Sequence, residues 1–496
     1  MTRIAIFADL HLPDRADTVK DTVYDWALTT AASERVDLIV GAGDMTSIGT
    51  AAAARRLWQK AGAMPLLVTP GNAELRTEDE TAACLEFLAG DDLREGVILL
   101  DTSAIRLSPS SRARLSSLPP RLNLLAVTHC PHHYLPAEDQ QLLTERLVDQ
   151  AIGTLVSGHI HRDENHGPYQ VVRGLDPDKA LGGPPAVVIL DNCDGAWRRQ
   201  DIACDFADPR TWPAEERAEW LGWLGISGMK DTLAALAAAA ENGVPGFEIR
   251  ASESLSLPAP TLNAAVDSWR QRGGRHLSIH LPAIGLDAAD AVSVPADMSA
   301  AIALAGRLRA GAVTLHTPAA PLGRLRAEPR LYTAMLEAYE QTLRPLAEAG
   351  VVIGIENMHL RRGEPADDQR FFGYTPLECR EWIAALRERL GENAVGFHLD
   401  IGHARNNRGL ASRYNLSEWY AELGAWMTGC HLHQFAQVDG KAQNHCPIKE
   451  LFGRTISLSS FFLAWRQGQL AHAPMFLEIR TEPAIDSFFA LRGMLS

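Results

Sequence analysis

The sequence IAIFADLH, residues 4–11, is an apolar run that ends in the pair Asp9-x-His11. The same pattern, an apolar run followed by a polar loop, recurs at residues 38–40, which lead into Gly41-Ala42-Gly43-Asp44. Short continuous apolar runs are typical of buried strands. Both stretches therefore predict a strand followed by a loop that carries side chains able to hold a metal ion.

This pattern recurs through the first 203 residues. Further apolar runs lie at residues 65–68, 122–127 and 154–156, and they lead into loops with Asn72, His129 and the pair His159-x-His161. Helical Ala/Leu/Arg patterns separate the runs, and a late strand at 186–190 closes an α/β domain. Two divalent cations held side by side require a bridging carboxylate with oxygen and imidazole ligands, and such a pair can activate water for attack on phosphorus.

These five blocks resemble the signature of the calcineurin-like metallophosphoesterase family, which implies a four-layer αββα fold over residues 1–203. The resemblance implies two divalent metals, Mn, Zn or Fe. The ligands it implies are Asp9, His11 and His161 for one cation and Asn72, His129 and His159 for the other, with Asp44 as the bridging and catalytic carboxylate.

Many members of that family carry a histidine where this chain has Ala73. The departure favours phosphodiester or phosphomonoester chemistry of modest scope. His132 and His133 are candidates for a substitute acid, although a surface or supporting role is the more frequent one for such loop histidines.

A second pattern begins after residue 217, where apolar runs alternate with amphipathic helical stretches. The runs lie at residues 222–227, 246–249, 277–279, 313–315, 351–355, 395–399, 429–432 and 475–479. Eight such units predict a (β/α)8 TIM barrel over residues 218–496. Residues 204–217 are rich in Asp, Glu, Pro and Arg without a period, which predicts a linker.

Side chains able to hold metals stand where the predicted barrel strands end, and that is where TIM barrels place their active sites. They are His280, His316, Glu356, Asp400, His403, His431 and Glu478, with His445 in the loop after the seventh strand. The pattern predicts a metal centre at this end of the barrel.

The barrel half resembles the xylose isomerase-like superfamily and, within it, endonuclease IV (AP endonuclease family 2), which cuts DNA beside abasic sites with three zinc ions. The resemblance implies two or three divalent metals, Zn or Mn. His280 and His316 would hold one cation, Asp400, His431 and Glu478 a second, and His403 with His445 a third. Glu356 would bridge the first two, and Glu356 and Glu478 would be catalytic.

The block for the third metal departs from that family. It reads Gln443-Asn444-His445, so that an amide replaces a carboxylate, and we expect this third cation to bind weakly or not at all. Strand alternation places His433 behind the centre, in the packing layer.

The isomerase and epimerase branch of the superfamily supplies a rival function, because it uses two Glu, an Asp and a His around one metal to move a proton beside a carbonyl. His280 and His316 favour phosphoester hydrolysis, since a one-metal epimerase has little need for that imidazole pair. A non-enzymatic scaffold is a third alternative, which the nearly intact ligand sets disfavour.

The composition and charge of the chain limit the classes of partner that it can bind. With 46% hydrophobic and 22% charged residues and no apolar run that spans a bilayer, the chain is typical of a globular protein, which we expect to be cytoplasmic. Its seven cysteines form no CxxC pair and are expected to be reduced. Residues 1–203 hold 19 basic and 28 acidic residues and the net charge is -14, so long-range attraction to nucleic acid is weak.

The expectation is therefore a bifunctional metal-dependent phosphoesterase. Its substrate would be a phosphoester, including DNA with abasic or blocked ends, in DNA repair or end processing. The alternative is a sugar or sugar-phosphate isomerase or epimerase barrel fused to a small-molecule phosphoesterase, which the acidic charge favours.

Overall fold

The computed structural model describes residues 2–76, 95–193, 196–361, 363–438, 441–453 and 455–496. Contacts between Cα atoms divide the chain into two compact units. The front unit comprises Met1–Asp208 and Phe452–Leu463, and the barrel unit comprises Pro209–Leu451 and Ala464–Ser496.

The front unit contains two five-stranded sheets. The first has the order β10-β9-β1-β2-β3, with β1 (Arg3–Phe7), β2 (Leu38–Ala42), β3 (Leu66–Thr69), β9 (Ala186–Cys193) and β10 (Ala196–Ala203). The second has the order β4-β5-β6-β8-β7, with β4 (Val97–Leu99), β5 (Leu124–Val127), β6 (Ile152–Ser157), β7 (Glu164–His166) and β8 (Tyr169–Val171). Because β1, β2 and β3 pair in parallel, the loops that follow them leave the same edge of the first sheet.

The inner faces of the two sheets form the core of the front unit. Ile4 and Val40 of the first sheet belong to one buried cluster with Leu125 and Val156 of the second. Burial of one such side chain contributes about 1.5–3 kcal/mol, so this cluster is a main source of the unit's stability.

Helices cover the outer faces of both sheets. They are α1 (Val19–Ser33), α2 (Ala51–Ala61), α3 (Pro109–Ser117) and α4 (Ala137–Val148). The ring of Tyr24 in α1 meets the ring of Phe7 edge-on at 6.2 Å, and its hydroxyl donates to the carbonyl of Leu57 in α2. Leu115 and Leu143 of α3 and α4 pack in a second cluster with residues of β4, β5 and β6. The predicted four-layer αββα arrangement is confirmed.

Residues 204–217, predicted to be a linker without a helical or strand period, are largely helical, and the boundary between the two units lies within them. Two 3-10 turns, Asp205–Ala207 and Pro209–Thr211, precede α5 (Ala214–Leu221). Pro213 stands at the N-cap of α5, and acidic residues fill its first turn, where the helix dipole favours them. The composition that suggested a linker is that of a helix start. The contacts also assign Phe452–Leu463 to the front unit, within the span predicted to be barrel.

The barrel unit closes through eight parallel strands, as predicted. Its strands are β11 (Leu224–Ser227), β12 (Gly246–Arg250), β13 (His276–His280), β16 (Ala312–His316), β17 (Val352–Glu356), β18 (Val395–Asp400), β19 (Met427–Leu432) and β22 (Met475–Leu477). Pairing of β11 with β22 completes the circle. Two hairpins lie in its loops, β14 (Gly285–Leu286) with β15 (Val292–Ser293) and β20 (Gln434–Val438) with β21 (Lys441–Cys446).

Helices alternate with the barrel strands. They are α6 (Thr232–Glu241), α7 (Ala251–Ser254), α8 (Ala259–Gln271), α9 (Met298–Arg307), α10 (Leu322–Ala327), α11 (Pro329–Glu348), α12 (Pro376–Leu390), α13 (Ile401–Arg405), α14 (Gly409–Arg413), α15 (Leu416–Leu423) and α17 (Ala484–Leu495), whereas α16 (Ser459–Arg466) begins in the segment assigned to the front unit. Buried rings join these helices to one another and to the strands: Trp269 of α8 lies 6.2 Å from Phe247 of β12, and Trp382 of α12 lies 5.1 Å from Tyr339 of α11.

Among the described residues, no helix combines the length and the apolarity needed to cross a bilayer. Free thiols are found at Cys130, Cys193, Cys204, Cys379, Cys430 and Cys446, and Cys84 lies outside the described residues.

Candidate metal centres

The loops that follow the strands of the front unit hold their polar side chains in strained backbone. Asp9 and Asp44 follow β1 and β2 with φ of 48° and 50°, and His159 and His161 after β6 have φ of 77° and 57°. A non-glycine residue in this region costs on the order of 1–3 kcal/mol, and such strain concentrates at functional sites. Gly43 has φ 80°, and a Cβ there would lie 2.6 Å from the Cβ of His129, so this position requires glycine.

His129 shows how the first donor set is built. Its Nδ1 lies 3.1 Å from the carbonyl oxygen of Ala42, which can only accept, so Nδ1 carries the proton. The lone pair on its Nε2 then faces His159 Nδ1 at 3.0 Å, Asn72 Oδ1 at 3.1 Å and Asp44 Oδ1 at 3.4 Å. Acceptor atoms that converge in this way fit a bound cation.

A second donor set lies on the other side of Asp44. The ligand atoms of Asp9, His11 and His161 lie within 4.8 Å of one another, and the rings of the two histidines stack at 5.3 Å. His11 Nε2 lies 3.5 Å from Asp44 Oδ2. The structure therefore brings all seven residues predicted for this centre together, and the two oxygens of Asp44 face different donor sets.

In the barrel, Glu356 has the same place between two donor sets. His280 Nδ1 lies 3.1 Å from the carbonyl oxygen of Leu281, so the lone pair on its Nε2 points at Glu356 Oε2, 3.0 Å away. His316 Nε2 lies 3.2 Å from that same oxygen. The other oxygen, Oε1, lies 3.1 Å from His431 Nδ1.

Two more carboxylates complete the second barrel set. His431 Nδ1 lies 3.4 Å from Glu478 Oε2 and 3.6 Å from Asp400 Oδ2. Asp400 also caps α13, since its Oδ1 accepts from the backbone N–H of His403 at 2.6 Å. Because that cap forms the turn after β18, one carboxylate both faces the centre and places the next histidine.

His433 is part of the centre, so its predicted place in the packing layer was wrong. Its Nε2 lies 3.0 Å from Asp400 Oδ1, and it forms a buried group with His403 and His445 whose ligand atoms lie within 4.8 Å of one another. Strand alternation fails here because β19 ends at Leu432. The ring of His433 fits at this position because residue 402 is a glycine, since a Cβ there would lie 1.8 Å from the ring.

This group changes the expectation for the third barrel cation. Gln443 lies in β21 opposite Ala436, while a third imidazole stands beside His403 and His445. Three imidazoles suit Zn and related cations. These three imidazoles therefore form a usable donor set for a third cation even though residue 443 is a neutral amide.

Comparison with known proteins supports the fold described for each unit. Residues 236–488 match the family model of the xylose isomerase-like TIM barrel, and residues 2–163 match that of the calcineurin-like phosphoesterase. The chain belongs to the xylose isomerase-like TIM barrel family. Its front unit is a calcineurin-like phosphoesterase domain.

Solved structures similar to the chain align with about half of it. A D-tagatose 3-epimerase-like protein shares 19% identity, with 55% of this chain and 96% of that chain covered and a TM-score of 0.36. A putative xylose isomerase from Rhodospirillum rubrum shares 15% identity over 54% and 98%, with a TM-score of 0.41. An AP endonuclease, family 2, from Brucella melitensis shares 13% over 53% and 95%, with a TM-score of 0.37. No curated protein matches the sequence.

Charge in the phosphoesterase domain is arranged around its two carboxylates. Burial raises the pKa of Asp9 to about 8, with a further upward contribution from Asp44. Burial lowers the pKa of His129, but the carboxylates of Asp44 and Asp9 outweigh it and the net shift is upward. Both shifts arise from carboxylates buried close together, an arrangement that additional positive charge would stabilise. Cys130 lies beside His129, but burial raises the pKa of its thiol to about 12, so it remains protonated.

Glu74 is a supporting residue that the sequence did not reveal, although it follows directly on Asn72-Ala73. It is 1% exposed, and it accepts hydrogen bonds from the backbone N–H groups of Gly71 at 2.7 Å, Thr46 at 2.8 Å and Asp44 at 3.0 Å. The side chain therefore ties the loop after β2 to the loop after β3.

The candidates for a substitute acid differ in their surroundings. His132 Nε2 lies 3.0 Å from the carbonyl oxygen of Gln140, and its ring packs on Tyr169 at 4.4 Å. These contacts tie His132 to α4 and β8, which is a supporting role. The ring of His133 packs on Tyr134 at 4.7 Å. At position 73 itself, the backbone N–H donates to Asp44 Oδ1 at 2.7 Å.

Glu248 supports the xylose isomerase-like barrel in a comparable way. It is fully buried on β12, its Oε1 lies 2.7 Å from His431 Nε2, and its Oε2 accepts from the hydroxyl of Thr314 at 2.9 Å. Burial raises the pKa of Glu248, but His431 outweighs it and lowers the value to about 2. The carboxylate thus keeps a proton on His431 Nε2 and leaves Nδ1 free for a cation.

The Asp9→Asn variant tests the charge arrangement in metal-free protein. A folded-state pKa of about 8 against about 4 in the unfolded chain means that the stability contribution of Asp9 is present at low pH and is lost as pH rises from about 4 to about 8. The amide introduced by Asp9→Asn does not titrate, so its contribution to stability does not change between these pH values. We expect similar urea stability at pH 4 and an advantage for Asp9→Asn on the order of 5 kcal/mol at pH 8, because each pKa unit corresponds to about 1.4 kcal/mol. Stability curves that stay parallel between these pH values would contradict the assignment.

The Glu248→Gln variant tests the support of His431. We expect the tightest barrel cation to bind about 10- to 100-fold more weakly, because the carboxylate no longer fixes the proton on Nε2. Competition with a fluorescent chelator measures this affinity. Glu348→Gln, at the exposed end of α11, is the matched control and should bind like the wild type. Equal affinity in the two variants would show that Glu248 has no part in metal binding.

Proposed function

We propose that both units hydrolyse phosphoesters with divalent metals and that the barrel acts on a phosphodiester backbone. The observation that supports the barrel assignment is the position of Glu356, whose two oxygens face different donor sets at 3.0–3.2 Å. A reaction that moves a proton beside a carbonyl needs one metal, whereas phosphoester displacement benefits from two.

In the phosphoesterase domain the seven converging donors fit two cations, Mn, Zn or Fe. Bound there, the cations would neutralise phosphoryl charge and lower the pKa of a water. Asp44 fixes the separation of the two donor sets, and the N–H of residue 73 orients its carboxylate. Ala73 offers no proton to a leaving group, so this domain suits esters whose leaving group departs without a strong acid.

In the barrel the fit rests on the chemistry of the donors. His280, His316 and Glu356 would hold one cation, and Asp400, His431 and Glu478 would hold another beside the shared Glu356. His403, His433 and His445 form a third set. Arg250 pairs with the second oxygen of Glu478 and so limits how that carboxylate can turn. The cations would be Zn or Mn.

The charge of the chain supports the proposed substrate class. A net charge of -14 gives little long-range attraction for a duplex, so local cations must hold the phosphate. This favours a substrate recognised over a few nucleotides, such as an abasic site or a blocked 3′ end, in repair or end processing. We place this reaction in the cytoplasm.

Paired variants assign the activities. With Mn- or Zn-loaded protein, we expect Asp44→Asn to lower hydrolysis of bis(p-nitrophenyl) phosphate by about 100-fold or more while cleavage of a duplex with one abasic site persists. Glu356→Gln should give the reverse pattern. Glu348→Gln is the control for both assays. Wild-type protein that cleaves neither an abasic duplex nor a blocked 3′ end would sink the nuclease assignment.

Isomerase or epimerase chemistry is the alternative for the barrel. It is favoured by the acidic surface and by the group of Glu356, Asp400, His431 and Glu478, which is sufficient for one metal. Exchange of solvent deuterium into sugars or sugar phosphates, followed by NMR, distinguishes the two. Exchange that Glu356→Gln abolishes would support this alternative, and its absence across a broad panel would count against it.

A further inference from the structure

The inside of the barrel is open at the end opposite to the metal centre. Ala312 and Gly354 stand two positions before Thr314 and Glu356, and strand alternation directs all four positions inward. A TIM barrel normally fills this part of its interior with bulky branched side chains. With alanine and glycine there instead, a cavity of about 350 Å³ remains, which we call the base cavity. Its walls include Trp223, His276, Ala312, Gly354, His398 and Phe476.

Aromatic rings form much of the wall of the base cavity. At its outer end the rings of Trp223 and His276 are stacked, with centroids 4.7 Å apart and an angle of 20° between their planes. At its inner end the ring of Phe476 is parallel to that of His398 within 2°, with centroids 6.4 Å apart. Trp223 directly precedes β11 and His276 is the first residue of β13, so the cavity opens at the N-terminal ends of the strands. Flat aromatic walls of this kind suit a planar molecule.

His398 places a hydrogen-bond acceptor at the inner end of the cavity. The hydroxyl of Thr314 donates to Glu248 Oε2 at 2.9 Å, so its oxygen accepts from His398 Nδ1, 3.2 Å away. In the neutral imidazole the lone pair then lies on Nε2. This nitrogen is buried and has no hydrogen-bond partner among the described residues, and the residue is 2% exposed. A buried acceptor without a partner is unfavourable, and a ligand that donates a hydrogen bond would relieve this.

The ring of His398 is held in one orientation by close neighbours. A Cβ at Gly429 would lie 2.5 Å from its Nδ1, and a Cβ at Gly354 would lie 3.0 Å from its own Cβ, so the side chain lies directly against these two backbones. The ring of His431 lies 4.3 Å from it. Because the acceptor is already fixed, little side-chain freedom is lost when a ligand binds to it.

We propose that the base cavity is a second ligand site of the barrel, which binds a small, uncharged, planar ring compound that donates a hydrogen bond to His398 Nε2. Phenols have this chemistry. The ring would lie between the aromatic walls, and its hydroxyl would fill the unpaired position on Nε2. A carboxylate or any other pure acceptor would face a lone pair at this position and is therefore disfavoured.

A metal ion does not suit this position, although Glu248, His398 and His431 have ligand atoms within 4.8 Å of one another. Both oxygens of Glu248 are engaged, one by His431 Nε2 at 2.7 Å and the other by the hydroxyl of Thr314. The protons on His431 Nε2 and His398 Nδ1 occupy the directions that a cation would need. The same contacts separate the base cavity from the metal centre, so its ligand should bind with or without metal.

The experiment titrates full-length, Zn-loaded protein with phenol and with toluene, which has a similar shape but donates no hydrogen bond. Ligand-detected NMR gives the dissociation constants, and crystals soaked in phenol locate the ring. His398→Phe removes the acceptor and keeps a ring, and Ala312→Leu fills the cavity while His398 stays in place. Ala237→Leu, at an exposed position of α6, is the matched control. Circular dichroism shows whether each variant is folded.

We expect the wild type and Ala237→Leu to bind phenol with a dissociation constant of about 1 mM or tighter. His398→Phe should lower the preference for phenol over toluene by about 5- to 10-fold, within the range for one neutral hydrogen bond. Ala312→Leu should weaken both ligands by about 10-fold or more, because its side chain takes up the space of the ring. Removal of zinc with a chelator should leave phenol binding unchanged.

Three results would overturn the inference. One is a phenol affinity that Ala312→Leu leaves unchanged. Another is soaked crystals in which only water occupies the base cavity or in which phenol lies elsewhere. The third is an unchanged preference for phenol over toluene in folded His398→Phe, which would make the cavity a space without a recognising acceptor. If His398→Phe does not fold, the soaked wild-type crystal decides, since a phenol oxygen more than about 3.5 Å from Nε2 would contradict the contact.

Discussion

The constraint on which both units depend is the burial of carboxylates and imidazoles side by side. Asp9 and Asp400 are fully buried, and an ionised carboxylate removed from water is costly unless opposite charge accompanies it. Imidazole neighbours compensate only in part, which is why burial leaves Asp9 with a pKa of about 8. Divalent cations satisfy these donors far better than protons do. Each unit is therefore a scaffold that holds carboxylates and imidazoles together at the ends of parallel strands, where they can bind metal.

Two different folds reach the same arrangement. In the phosphoesterase domain Asp44 presents one oxygen to each donor set, and in the xylose isomerase-like barrel Glu356 does so. A second carboxylate supports each centre. Glu74 holds the ligand loops of the front unit in position, and Glu248 holds His431 of the barrel. The backbones differ. The front unit relies on strained loops and close glycines such as Gly43, whereas the barrel places most of its donors at regular strand ends.

The sequence was sufficient to predict the main strands and the ligand types that follow them, because buried parallel strands and their loops leave a local pattern. Short strands such as β7 at the sheet edge and its neighbour β8 have no such pattern and were not predicted. The supporting side chains were not predicted from the sequence for a different reason. Glu248 and His431 are 183 positions apart and Glu248 and Thr314 are 66 apart, so only the closed fold brings them together. His433 was misplaced because a period-2 pattern holds only while the strand continues.

The most direct test is anomalous diffraction from crystals grown with Mn or Zn, with the peaks located against the protein. The central claim, that a carboxylate bridges two cations in each unit, predicts two peaks flanking Asp44 and two flanking Glu356, with a further peak among His403, His433 and His445. A single peak beside Asp44 or beside Glu356 at saturating metal would contradict it, as would peaks that contact neither carboxylate.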